Sequence, residues 1–192
     1  MASIFVFQEI CDKEDADIYT YACEAIISAV VNIIIATVVS LLLGHVVSGI
    51  TYTLAFALLR RHTGGHHAKS HFRCILVFNC MLVISIGIAF FISEMAIQNI
   101  IVFAITTVAG LGIYFLAPVE CANKQLSVEQ SLTARKKSRV LTIVFCALCV
   151  VDLYVVRAGI GIMLSLSLFS VLGSMIYAKA VNQINTERVN VI

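Results

Sequence analysis

His67 and Cys74, seven residues apart in the stretch "RRHTGGHHAKSHFRC" (60–74), are the residue types most able to do chemistry in this chain. A thiol reacts as its thiolate, which is favoured at a helix start and beside Arg, Lys or His. Cys74 directly follows Arg73 at the edge of an apolar run, with Ser70 available as a helix cap. On one continuous helix a seven-residue offset is about two turns, roughly 10 Å along the axis, too far for a hydrogen bond. If His67 precedes the helix and the chain folds back at Gly64-Gly65, where glycine accepts positive φ, the imidazole can approach the sulfur. Histidine as base beside cysteine is the general pattern of an activated thiol. Metal ligation competes with it. His62 and His66, then His67 and His71, are spaced i,i+4 ahead of Cys74, and imidazole and thiolate bind zinc or copper. Against metal, the stretch carries no carboxylate and no H-E-x-x-H, and its arginines oppose a divalent cation. Read as spacing alone, the stretch also suits an inert thiol in an ordinary basic loop.

The elements that hold this stretch are apolar. Of 192 residues, 60% are hydrophobic and 12% charged, against about 25% charged in soluble domains, with one proline and no tryptophan. The apolar blocks are long enough to cross a bilayer, so the chain reads as a polytopic, all-α membrane helix bundle in a single domain (1–192). Six spans are expected, at about 22–43, 46–59, 75–93, 97–116, 140–156 and 159–178. Gly44-His45, Ser93-Glu94 and Arg157-Ala158-Gly159 mark the short turns on one side. The other side carries the N-terminal segment 1–21, the loop 60–74 and the basic loop 117–139. With both termini cytoplasmic, twelve of the thirteen Lys and Arg fall inside and only Arg157 outside, as the positive-inside rule requires. The second span is short: Val46 to Leu59 reaches only about 21 Å of a core of roughly 30 Å, which draws the polar stretch after it toward the interface.

Other features have plainer readings. The N-terminus has no basic signal region, and Ile4, Phe7 and Cys11 share a helical face that suits either a surface helix or a solvated tail. Seven cysteines, mostly inside apolar blocks, argue for buried thiols rather than disulfides, Cys146-x-x-Cys149 included. Asp152 and Glu24 lie near span ends, where both are expected to reach the interface. Gly110 and Gly112 suit close helix approach, and Pro118 suits the end of the fourth span. No internal repeat supports a transporter of inverted halves.

The segment "LLRRHTGGHHAKSHFRC" resembles the signature of the accessory gene regulator protein B (AgrB) family, bacterial membrane cysteine peptidases that process the precursor of a cyclic quorum-sensing peptide. The matching positions are Arg60, Gly64-Gly65, His67-Ala68 and Cys74. A second segment, "APVECANKQLSVEQSLTARKKSR", resembles the family's cytoplasmic loop before the last two spans. His66 and His71 depart from the pattern; His67 alone keeps the seven-residue offset and precedes alanine.

The resemblance implies a cysteine endopeptidase in the bacterial cell membrane, its site facing the cytoplasm, with catalytic residues Cys74 and His67 and neither cofactor nor metal. Cys74 would attack a precursor carbonyl, and a substrate thiol or hydroxyl would then close a thiolactone or lactone ring. Ser70, Asn79, Glu120 or a backbone carbonyl could orient the imidazole. Arg60 could bind a substrate carboxylate or fix the loop. Gly64, Gly65 and Ser70 would shape the site, and Lys136 and Lys137 would either anchor the topology or meet an acidic precursor tail or anionic lipid. The partners implied are an AgrD-like precursor and membrane lipids, not nucleic acid; a homodimer is the general expectation for membrane-helix proteins. The competing class is a transporter or metal-binding membrane protein using the His62–His71 loop.

Overall fold

The computed structural model describes residues 16–64, 71–119 and 128–190. With no water in the bilayer core, a backbone must pair its own polar groups, and the described chain does so as six helices. They are α1 (Ala16–Leu42), α2 (Val46–Thr63), α3 (His71–Ser93), α4 (Gln98–Leu116), α5 (Val128–Val151) and α6 (Ile160–Asn190). Among the described residues the only β pairing is one isolated bridge. Four stretches are long and apolar enough to cross a membrane: Phe72–Ser93, Gln98–Leu116, Glu129–Val156 and Ile160–Gln183. Ile26–Leu42 is apolar but shorter.

The helices differ from the expected spans mainly in running further. α2 continues to Thr63, so its 18 residues rise about 27 Å, but the added turn is the polar Arg60–Thr63, and the helix is not one of the four stretches apolar enough to cross. The loop 60–74 narrows accordingly, because Arg60–Thr63 complete α2 and His71–Cys74 open α3. α5 begins at Val128, inside the expected basic loop, and α6 runs on to Asn190. The reason is common to all three. Hydropathy marks only the part of a helix that meets lipid, and outside it the backbone can stay helical through polar residues.

The stops are explicit. After α1 the chain closes a Schellman turn: His45 N–H donates to Ser40 O at 2.9 Å and Gly44 N–H to Leu41 O at 3.0 Å, with Gly44 at φ +74°. After α4 the extended Ala117 leads into Pro118 through a cis peptide bond. After α5 the helix widens into a π turn, Asp152–Val156, and ends at Arg157 in the left-handed region. Asp152 is buried there rather than reaching the interface, at 7% exposure. Its carboxylate accepts the Ala158 N–H at 3.1 Å and the Gly161 N–H at 2.7 Å, which caps the start of α6. A carboxylate on orphan N–H groups at the positive end of a helix is favourable, so burial here is compensated.

α6 is the hub. Of its apolar span 61% is buried, against 33% or less in the other three spans, and α2, α3, α4 and α5 all pack on it. Missing side chains permit close approaches between helices. A Cβ at Gly112 would lie 2.6 Å from Leu172 Cδ1, and one at Gly110 would lie 2.7 Å from Cys146 Sγ. Cys149 is buried and Cys146 half-buried; both are free thiols within packed helices. α1 is peripheral, packed on α2 where Ser40 meets the bare Gly49, and on α3 where Asn79 Nδ2 donates to Asn32 Oδ1 at 2.9 Å.

Replacing Asp152 by alanine leaves two backbone donors unpaired. It should lower stability by about 2 kcal/mol, read by thermal unfolding in detergent micelles. Asp152→Asn, which keeps one acceptor, should lose less. An unchanged melting temperature in both variants would show that the cap contributes nothing.

Candidate active site

The last turn of α2 carries Arg60, Arg61 and His62, and the two arginines are cations at the negative end of a helix dipole. Arg60 is half-buried, and its Nη1 donates to Ser174 Oγ on α6. One turn on, the fully buried Thr63 offers its carbonyl to Val119 N–H at 2.9 Å. Gly64 then pairs with Val119 in a parallel bridge. Gly64 has φ +72° and ψ −155°, a region essentially restricted to glycine. A Cβ there would also lie 2.2 Å from Val119 O. The two segments singled out in the sequence therefore touch. The start of "APVE" closes the end of α2, and the chain must leave at Gly64.

Cys74 sits at the far side of this stretch, exposed, in the first turn of α3. Gly65, His67 and Ser70 lie outside the described residues, as do His66, Glu120 and the whole of 1–15. The Asn79 amide nitrogen donates to Asn32 Oδ1 and to Ile75 O, which fixes it to α1 and to its own helix, while its buried Oδ1 has no partner among the described residues.

The basic end of α5 flanks the same region. Arg135, Lys136 and Lys137 are exposed, whereas Ser138 is buried and gives its hydroxyl to Arg135 O. Lys137 and His62 share a shallow cavity of about 320 Å³ with Glu129, Gln130 and Thr133, which sets the α2 terminus beside the first turns of α5. Partial burial, reinforced by Lys137 and Arg61, lowers the His62 pKa below its ordinary value and favours the neutral imidazole. Two contacts had no signal in the sequence, Ser174 to Arg60 and Val119 to Gly64. Both join residues more than fifty positions apart, and neither Ser174 nor Val119 has a distinctive type.

The profile of the family described as Accessory gene regulator B matches residues 1–179. This chain is a member of the AgrB family. A Clostridium perfringens (strain SM101 / Type A) protein named as AgrB-like is 30% identical over 141 residues, covering 69% of this chain and 64% of that protein. The chain thus spans somewhat less than two thirds of that relative's length. No solved structure matches. As an AgrB family protein it carries Arg60 and Gly64 in the clamp just described, and Cys74 at the exposed start of α3.

The clamp is directly testable. Gly64→Ala meets both a forbidden backbone and the Val119 carbonyl, and should destabilise by about 3 kcal/mol in thermal unfolding. Gly44→Ala, at φ +74° with nothing within 4 Å, should cost only about 1 kcal/mol. Equal losses would dismiss the close contact.

His62 adds a pH dependence. Its folded pKa is lowered, so its contribution to stability is present above the unfolded value of about 6.5 and is lost as pH falls toward the folded value. His62→Gln should flatten that part of a stability–pH curve, and an identical curve would remove His62 as its source.

Proposed function

We propose that this AgrB family protein is a membrane-embedded cysteine endopeptidase. It cleaves a short, AgrD-like autoinducer propeptide at the cytoplasmic face and leaves the peptide able to cyclise. The observation that carries the reading is the position of Cys74: an exposed thiol in the first turn of α3, close in sequence to the clamped Gly64, within the segment that resembles the family signature. The cytoplasmic assignment rests on the distribution of Lys and Arg.

In this reading His67 takes the Cys74 thiol proton and the thiolate adds to the scissile carbonyl carbon. The tetrahedral intermediate collapses, the C–N bond breaks, and His67 returns the proton to the leaving amine. The remaining acyl group is a thioester on Cys74. A substrate thiol, or a hydroxyl in lactone-forming relatives, attacks the same carbonyl, closes the ring and releases Cys74. Exchange of one thioester for another is nearly balanced, so hydrolysis must be suppressed, and a site at the membrane interface helps exclude water. Arg60 acts by fixing the end of α2, a role that its contact with Ser174 supports. Lys136 and Lys137, exposed on α5, meet the acidic tail of the precursor.

The test uses the full chain in nanodiscs with a synthetic precursor bearing an internal Cys and an acidic C-terminal segment. Intact-mass measurement should detect an acyl adduct on the wild type that hydroxylamine removes, and none on Cys74→Ala. His67→Ala should slow its formation by about 100-fold or more. Processing by Cys74→Ala at the wild-type rate would end this reading. Loss of activity to a chelator in that variant would turn attention to a metal in the His62–His71 loop.

A further inference from the structure

The outer side of the α4–α5 pair carries a groove of about 600 Å³ that no other helix lines. Its floor is made by small or hydroxylated residues, Thr106, Gly110, Thr142 and Cys146, and its walls by larger ones such as Phe103, Tyr114 and Ile143. The bare Gly110 lets the Cys146 sulfur come close, which seats the floor deep between the helices. From Phe103 to Tyr114 the groove runs about 16 Å along α4, roughly one leaflet of a core about 30 Å thick.

The two ends of this groove differ in charge. At the Phe103 end the neighbours on α5 are Val150 and Val151. At the Tyr114 end the groove-facing stripe of α5 (Val150, Cys146, Ile143) continues at helical spacing into Arg139 and then Arg135. Arg139 is half-buried, its guanidinium carbon 4.4 Å from the Tyr114 ring centre, and its Nε donates to Tyr114 O at 3.3 Å. That contact sets the cation on the ring of Tyr114, which lines this end of the groove, and leaves its two Nη nitrogens without a partner among the described residues. Arg135, exposed one turn further out, adds a second charge on the same stripe. An apolar slot one leaflet deep, closed at one end by two cations, has the polarity of an anionic amphiphile.

We propose that the α4–α5 groove binds an anionic glycerophospholipid. One acyl chain lies over Gly110, and the phosphate is held by Arg139 with Arg135. The guanidinium presents paired donors that match phosphate oxygens, and the ring of Tyr114 fixes its plane, so less side-chain freedom is lost on binding. The site is independent of the cysteine chemistry. It lies on the opposite side of α5's basic segment from Lys137 and His62, and holds whether or not Cys74 is a nucleophile.

The test is native mass spectrometry of the full chain released from nanodiscs holding equal amounts of phosphatidylglycerol and phosphatidylcholine with matched chains. Phosphatidylglycerol should be retained preferentially. Arg139→Gln should reduce that preference about fivefold, Arg139→Lys should retain part of it, and Arg157→Gln at the other membrane surface should leave it unchanged. Ala147→Phe, which fills the exposed wall without entering the core, should abolish retention. Equal retention of the two lipids, or retention unaffected by Ala147→Phe, would overturn the proposal. So would a photoreactive side chain in place of Ala147 that captures a second copy of the chain instead of lipid.

Discussion

The seam between α2 and α6 carries the rest of the molecule. In lipid there is little hydrophobic drive to bring two helices together, because the tails are as apolar as the side chains, so association relies on close packing and on hydrogen bonds between helices. Here α6 presents Ser167, Ser170 and Ser174 along one face, and α2 meets each of them. Ser167 donates to Tyr52 O, Tyr52 donates to Ser170 Oγ at 2.8 Å, and Arg60 donates to Ser174 Oγ. Tyr52 is also packed against Phe56 and Phe78, which ties α3 to the same seam. With α2 fixed in register on the hub, the position of its last residues is decided, and with them the point from which the polar stretch departs.

That departure point is reinforced from a second direction. Val119 bonds the carbonyl of Thr63 and covers Gly64, so the end of α2 and the exit from α4 are joined although they are far apart in the chain. A loop that carried chemistry in open solvent would lose entropy each time it reached a productive geometry. A loop whose entry is tied to two packed helices loses less. At the other end of the same stretch, Cys74 is fixed by the start of α3. The arrangement is the kind a nucleophile needs, since it must be exposed to substrate yet held by rigid elements.

The opposite membrane surface is organised by one buried carboxylate. Asp152 joins the widened end of α5 to the start of α6 through bonds to Ala158 and Gly161, and so fixes the hub helix lengthwise. A buried carboxylate in a span is usually read as a functional group. Here its two oxygens are turned onto backbone donors of the following turn and of the next helix, and the role is architectural. The polar stretch that holds Cys74 and the buried Asp152 thus lie at opposite ends of the bundle.

The class of the protein was legible in residue composition, because the bilayer admits only apolar helices and 60% of the chain is apolar. Turns at Gly44, Pro118 and Gly159 were legible for a local reason: glycine and proline act on their own backbone. Arg60, Gly64 and Cys74 drew attention through their resemblance to a family signature, and they lie at the end of α2 and the start of α3. Helix ends were less legible. α2 and α5 run on past the apolar residues, because hydropathy marks where a helix meets lipid and says nothing of where its hydrogen bonding stops. Hidden altogether were the pairings of Gly64 with Val119 and of Arg60 with Ser174, and the burial of Asp152. These depend on which helix faces which, and a serine or valine carries no mark of its distant partner. By itself the sequence determined that this is a membrane helix bundle with a cysteine and histidines gathered in one polar stretch. Only the tertiary structure decided what holds that stretch, because long-range packing, not local propensity, sets where α2 ends against α4 and α6.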